Sequence, residues 1–199
     1  MRLHSRPTFV TACVAATLVA LAGCGSGEGE GTGTTTSSTS SSASSEQTYD
    51  EAHIMSAVRK TDKAFRALDP NATIPKDAEW VTDAYRKTYN SDVGELKDLG
   101  VVQKGTTTTE DLHLAKSDPD APGGWYVTVY NCNVSTVRAY IDGEDVSRDP
   151  QDEDKPLPKG PRTGVSLDRY TTPDDGQSWQ IDDSQILSPE DARASPCAP

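Results

Sequence analysis

Histidine is scarce in this chain: three in 199 residues, of which only His53 and His113 lie beyond position 23. A nucleophile–base–acid triad needs an imidazole beside a hydroxyl or thiol. Neither histidine stands in a Gly-x-Ser-x-Gly elbow or a His-Glu-x-x-His helix, so no catalytic residue is nominated. Cysteine is nearly as rare, at four, and Cys132 and Cys197 lack the C-x-x-C spacing of a zinc site. Positive charge is also in short supply, with 19 basic against 31 acidic residues and a formal charge of −12. A surface of that sign repels phosphates, which argues against nucleic acid as a partner and against polybasic docking on anionic lipid. The glycines never fall into G-x-G-x-x-G, so no phosphate loop and no nucleotide cofactor are implied. Only one long apolar run exists, Phe9 to Leu21, and it is shorter than the ~20 residues a membrane-spanning helix needs.

That run sits between two basic residues, Arg2 and Arg6, and the small residues Ala22 and Gly23. Charge first, a short apolar segment next and small residues last is the layout of a secretory signal peptide. Leu21-Ala22-Gly23-Cys24 resembles the bacterial lipobox, whose cysteine receives a diacylglycerol with palmitate-type acyl chains and becomes the first mature residue. The resemblance implies a signal peptide over 1–23, lipidation of Cys24, and a lipoprotein held at the extracytoplasmic face of the cell membrane. With Arg2 and Arg6 removed, the formal charge becomes −14.

Residues 24–47 are Gly, Ser and Thr with few others and no apolar periodicity. Such a segment buries too little surface to offset chain entropy, so a flexible tether is expected. An r.m.s. span of about 5–6 Å × √n would hold the domain roughly 25 Å from its anchor.

A single domain over 48–199 follows. Thr48-x-x-Glu51 has the capping-box form, and Ile54, Val58, Thr61, Phe65 and Leu68 form a helical stripe that stops at Asp69-Pro70. Pro75 is expected to open a second helix with Ala78, Val81, Tyr85 and Tyr89 on one face, interrupted at Asn90-Ser91-Asp92. Beyond Gly100 the period changes to two. Strands are expected at Val101–Gln103, Thr106–Lys116, Trp125–Val134, Val165–Thr172 and Gln177–Leu187, with Ser135–Ile141 extending the third or bending away. Asp142–Pro161 reads as a long polar connection, and Ser188-Pro189-Glu190 as the start of one helical turn.

Helices followed by turn-linked strands indicate an α+β fold, with N-terminal helices packed on a curved antiparallel sheet. Leu96-x-x-Leu99-Gly100-Val-Val-x-Lys-Gly105, Asn131-Cys132-Asn133 and Gln177-x-Trp179-x-Ile181-Asp182 with a terminal cysteine resemble secreted actinobacterial lipoproteins. Those domains are similar to the NTF2-like cone, in which helices close the mouth of a curved sheet. Relatives often carry an acidic residue beside the mid-chain cysteine; here Asn131 and Asn133 flank Cys132.

The two-residue period places Leu112, Leu114, Val127, Val129, Val165, Leu167, Trp179 and Ile181 on one, helix-covered face. The other face then carries His113, Tyr126, Thr128, Tyr130, Asp168 and Tyr170. Of these, Tyr126, Tyr130, Tyr170 and His113 form a candidate docking face, because tyrosine is enriched in interfaces. Asp118-x-Asp120 echoes a calcium loop, but position twelve is Val129 instead of glutamate, and the acids of 142–154 read as a solvated loop, so no metal site is nominated. With Cys13 removed and Cys24 lipidated, Cys132 and Cys197 are expected to pair in an oxidising compartment. Three functions stay open: a non-enzymatic domain binding an envelope protein, a small-ligand carrier or enzyme using a pocket in the cone, and a structural spacer of an envelope complex.

Overall fold

A computed structural model describes residues 50–149 and 152–197. The leader, the lipidation site Cys24, the tether and Thr48 lie outside the described residues.

The first helix, α1 (Glu51–Arg66), is capped by Asp50, whose carboxylate accepts the His53 N–H at 2.8 Å. Of the expected stripe, Ile54, Val58 and Thr61 are buried and Phe65 and Leu68 pack against the core, Leu68 from beyond the end of the helix; Met55, outside that stripe, is buried with them. The second helix begins later than Pro75 suggested. Thr82 caps α2 (Asp83–Asp98) by accepting from the Tyr85 N–H, and residues 67–82 are mostly irregular. Asn90 does not break α2. Its side chain accepts from the Ile74 N–H at 2.7 Å and donates to the Ile74 carbonyl at 3.0 Å, fastening the buried Ile74 loop to the helix.

The strands are β1 (Val101–Lys104), β2 (Thr107–Asp118), β3 (Tyr126–Ser135), β4 (Arg138–Ile141), β5 (Glu144–Asp145), β6 (Arg148–Asp149), β7 (Asp152–Pro156), β8 (Arg162–Thr171) and β9 (Gln180–Ile186), followed by α3 (Pro189–Ala194). The class is α+β. All the ladders between these strands are antiparallel, but they form three sheets instead of one: β2-β3-β8-β9, β1-β4-β5 and β6-β7. The expected polar connection therefore contains three short strands. Between the two larger sheets the chain passes Gly105, at φ 109°, where a Cβ would lie 2.5 Å from the Thr136 carbonyl oxygen; only glycine fits that approach.

In the four-stranded sheet, α1 lies against β2 and β9, and α2 against β9. Leu112, Val127, Val129, Trp179 and Ile181 are buried as expected. Strand β8 is the exception, because its register sets Tyr170 opposite Val127, Asp168 opposite Val129 and Ser166 opposite Asn131. Residues directly opposite share a face, so Ser166, Asp168 and Tyr170 enter the core while Val165 and Leu167 turn to the other side. The expectation was the reverse. Bulges at Thr109/Asp111 and Leu114/Lys116 in β2, and in β9 at Asp182, opposite Arg169/Tyr170, break simple alternation on those two strands, whereas β8 alternates throughout.

Candidate functional site

The interior of the four-stranded sheet holds a connected polar cluster built from α1 and all four of its strands. Asp62 and Arg66 sit one helical turn apart on α1, with Arg66 Nε 3.3 Å from Asp62 Oδ1. The amide of Asn131 on β3 donates to Asp62 Oδ1 at 3.0 Å and to Asp168 Oδ2 of β8 at 2.9 Å. From β9, the Ser184 hydroxyl donates to Asp168 Oδ1 at 2.6 Å. Thr109 of β2 donates to Asn131 Oδ1 at 3.3 Å, and a terminal Arg66 nitrogen lies 3.9 Å from Asp168. Asn131 and Asp168 are fully buried, and Asp62 is nearly so.

Two carboxylates in a dry interior are tolerable only when paired and hydrogen-bonded, and here one amide and one guanidinium serve both. Burial still pushes the Asp168 carboxyl above its ordinary range, against the opposing hydrogen bonds from Ser184 and Asn131 and the Arg66 charge. Burial, reinforced by the negative charges of Asp168 and Asp62, pushes the Tyr170 phenol well up. Its hydroxyl has no hydrogen-bond partner among the described residues. The Tyr85 phenol is pushed up to about 12, first by burial and next by Asp168.

Tyr85 and Ser184 connect this cluster to the surface. Both line a groove of about 290 Å³ between α2 and β9, together with Tyr89, Asp92, Asp182 and Asp183. The Tyr85 and Tyr89 rings stack there at 6.5 Å, each braced edge-on by Phe65. A molecule in the groove would stand one hydroxyl, that of Ser184, from Asp168. Among the described residues no group of three or more His, Cys, Asp or Glu is placed to hold a metal ion.

The candidate docking face is only partly as expected. Tyr126, Tyr130 and His113 lie together, because His113 is opposite Tyr130 and all three point away from the core. Tyr170 belongs to the opposite face and is completely buried, so it is removed from the set. Tyr126 is bracketed by cations: the Arg169 guanidinium lies 4.4 Å and Lys116 Nζ 5.2 Å from its ring centre. Lys116 also donates to the Tyr126 hydroxyl and to Asp118, each at 2.8 Å. The Asp118 hydrogen bond chiefly raises the Lys116 pKa. His113 Nε2 is 3.3 Å from Asp111, and His53 is exposed in the first turn of α1.

Cys132 and Cys197 are joined in a disulfide, with their Cα atoms 5.3 Å apart. Cys132 alternates with buried Asn131, so the bond draws the C-terminal tail onto the tyrosine side of β3, where α3 lies against β8. The acidic residues after β4 are engaged locally. Asp145 pairs with Arg138, which holds its carboxyl down to about 2, and Asp152 pairs with Lys155.

Sequence reasoning missed the interior cluster, although one signal for it was present. Asn131 keeps the two-residue phase of Val127 and Val129, which marks an amide on the buried side of the best strand.

No known protein-family profile matches this chain, and no curated protein does. Among solved structures, the intermembrane space region of the chloroplast protein ARC6 is similar over 71% of this chain and 98% of that one. The identity is 15% and the TM-score 0.42, which carries no argument about this chain.

Proposed function

We propose that this chain is an extracytoplasmic lipoprotein, anchored through lipid on Cys24, whose NTF2-like domain binds an envelope protein instead of catalysing a reaction. Its membrane contact is the lipid; nucleic acid is not a partner. The Leu21–Cys24 lipobox supports the anchor, and the Cys132–Cys197 disulfide agrees with an oxidising compartment. The observation that carries the binding reading is the two-sidedness of the four-stranded sheet. One side is filled by α1 and the core, while the other presents half-buried Tyr126, Tyr130 and His113 beside Lys116 and Arg169.

A photo-crosslinking residue at Tyr130 of the full chain tests this on intact cells. A discrete adduct from Tyr130 that is absent from exposed Leu99 supports the docking face, and identical patterns from the two positions reject it. Replacing Cys24 with alanine should release the protein or block its processing; unchanged membrane association would reject the anchor.

The α2–β9 groove favours a second reading, a small-ligand carrier, because Ser184 links it to the buried Asp168. If neither the open face nor the groove tolerates a partner or ligand, a spacer subunit is the reading that stands.

A further inference from the structure

The four-stranded sheet has two edges, and they are treated differently. Beside β9, Ile181 donates to the Trp80 carbonyl and accepts from the Thr82 N–H, each at 3.0 Å, so residues 80–82 cover that edge. Beside β2, among the described residues, no strand lies on the side away from β3. A twelve-residue edge strand is a template for a further strand.

We propose that β2 pairs antiparallel with β2 of a second copy of this chain, about a two-fold axis at His113. The outward backbone groups fix which registers are allowed. The Leu112 N–H donates to the Asp111 carboxylate at 2.7 Å, which places it on the outer edge, and because ladder groups alternate along a strand, Leu114, two residues on, turns its backbone groups outward as well. An antiparallel partner must set outward residues opposite outward residues.

Three central registers satisfy that condition, and the charges choose among them. Leu114 opposite Leu114 sets Glu110 against Asp118, which is repulsive. Leu112 opposite Leu112 leaves Glu110 against Leu114 and Lys116 against Thr108. Leu112 opposite Leu114 sets His113 against itself and, at the bulged ends of the run, brings Glu110 near Lys116 twice. Opposite charges directly across a ladder stabilise it. The two bulges of β2 fall at the ends of the Asp111–Leu114 run and leave those four residues regular.

Side chains favour the same arrangement. Beside β2 lies a hollow of about 630 Å³ against α1, whose lining mixes Met55, Leu112 and Leu114 with Glu51, Arg59 and His113. The second copy's Leu112 and Leu114 would add to the apolar part of this lining across the axis. In the single chain, Asp111 occupies the Leu112 N–H that the second strand needs. Dimerisation therefore exchanges a carboxylate for the Leu114 carbonyl, and Asp111 competes with it.

The test uses the purified full chain under mild oxidation and holds wherever the chain is anchored. Opposed residues across an antiparallel pair lie about 4.5–5.5 Å apart at Cα, within the roughly 4.4–6.8 Å a disulfide spans. His113→Cys should therefore give a covalent dimer. Leu99→Cys, equally free to collide and 69% exposed, should give little, and it also controls for the chain's own thiols. Adding Lys116→Glu to His113→Cys should cut the yield several-fold, and Glu110→Lys on top should restore it. Asp111→Ala should raise it. Equal yields from the two cysteine positions, or a yield unmoved by Lys116→Glu, would each overturn the proposal.

Discussion

The two faces of the four-stranded sheet follow simple hydrophobic sorting on β3, where Val127 and Val129 are buried, and reverse it on β8. The buried face holds Asn131, Asp168 and the tyrosine ring of Tyr170, with Asp62 and Arg66 reaching in from α1. The open face holds Leu167 and Val165 among its tyrosines. Asn131 and Asp168 are thus buried where other elements complete their hydrogen bonds, the Tyr170 hydroxyl is buried without a partner among the described residues, and aliphatic residues are half-exposed where a disulfide-tied tail lies nearby. A residue's side is decided by the partners waiting on it, and those partners come from distant parts of the chain.

The largest separation between the faces should come from Asp168→Ala. It strands Asn131, Ser184 and Arg66 around an empty site, and removing one partner of a buried charged pair costs about 3–5 kcal/mol. Chemical denaturation should show a loss of that size, and a loss below 1 kcal/mol would mean that the cluster is open to water. Cys132→Ser comes next. The bond closes a separation of 65 residues on the open side, and its removal should cost about 2–4 kcal/mol.

The pH dependence compares an inner with an outer aspartate. Asp168 has a raised carboxyl, so above pH 3.8 the folded chain keeps a proton that the unfolded chain has lost. Its contribution to stability therefore falls as pH rises from 3.8 through the folded value. Asp145, held down to about 2 by Arg138, works in the opposite sense: its contribution is complete above 3.8 and is lost as pH falls toward 2. Melting temperature against pH should show Asp168→Asn gaining on the parent as pH rises above 3.8. Asp145→Asn should flatten only the acid end. The smallest effect is expected from Tyr126→Ala, within about 1 kcal/mol, because its contacts with Lys116 and Arg169 are cation–π pairs at the surface.

Much of the frame was legible in the residues. The apolar stripe of α1, the β2, β3 and β9 strands, the α+β class and the Cys132–Cys197 pairing follow from periodicity and cysteine arithmetic. The start of α2 was misplaced because Pro75 suits a first helical turn, yet Thr82 supplies the cap that the backbone uses. Asn90 resembled a breaker because its amide prefers backbone partners, and it found them in Ile74 without leaving the helix. The face of β8 was not legible. Val165 and Leu167 hold one phase and Ser166, Asp168 and Tyr170 the other, so hydrophobicity alone assigns the first phase inward. What reverses it is Asn131, Asp62 and Arg66, whose convergence no local pattern reveals. Among the site residues, Tyr126, Tyr130 and His113 follow from β2 and β3, and Tyr170 failed with the face of β8.

The reversal of β8 can be measured on the unaltered protein by modifying tyrosines with a water-soluble reagent and mapping the products by mass spectrometry. Tyr126 and Tyr130 should react in the folded protein, and Tyr170, fully buried beside Val127, should react only on unfolding. Modification of Tyr170 at the rate of Tyr126, with the fold intact, would contradict the account and return Val165 and Leu167 to the core.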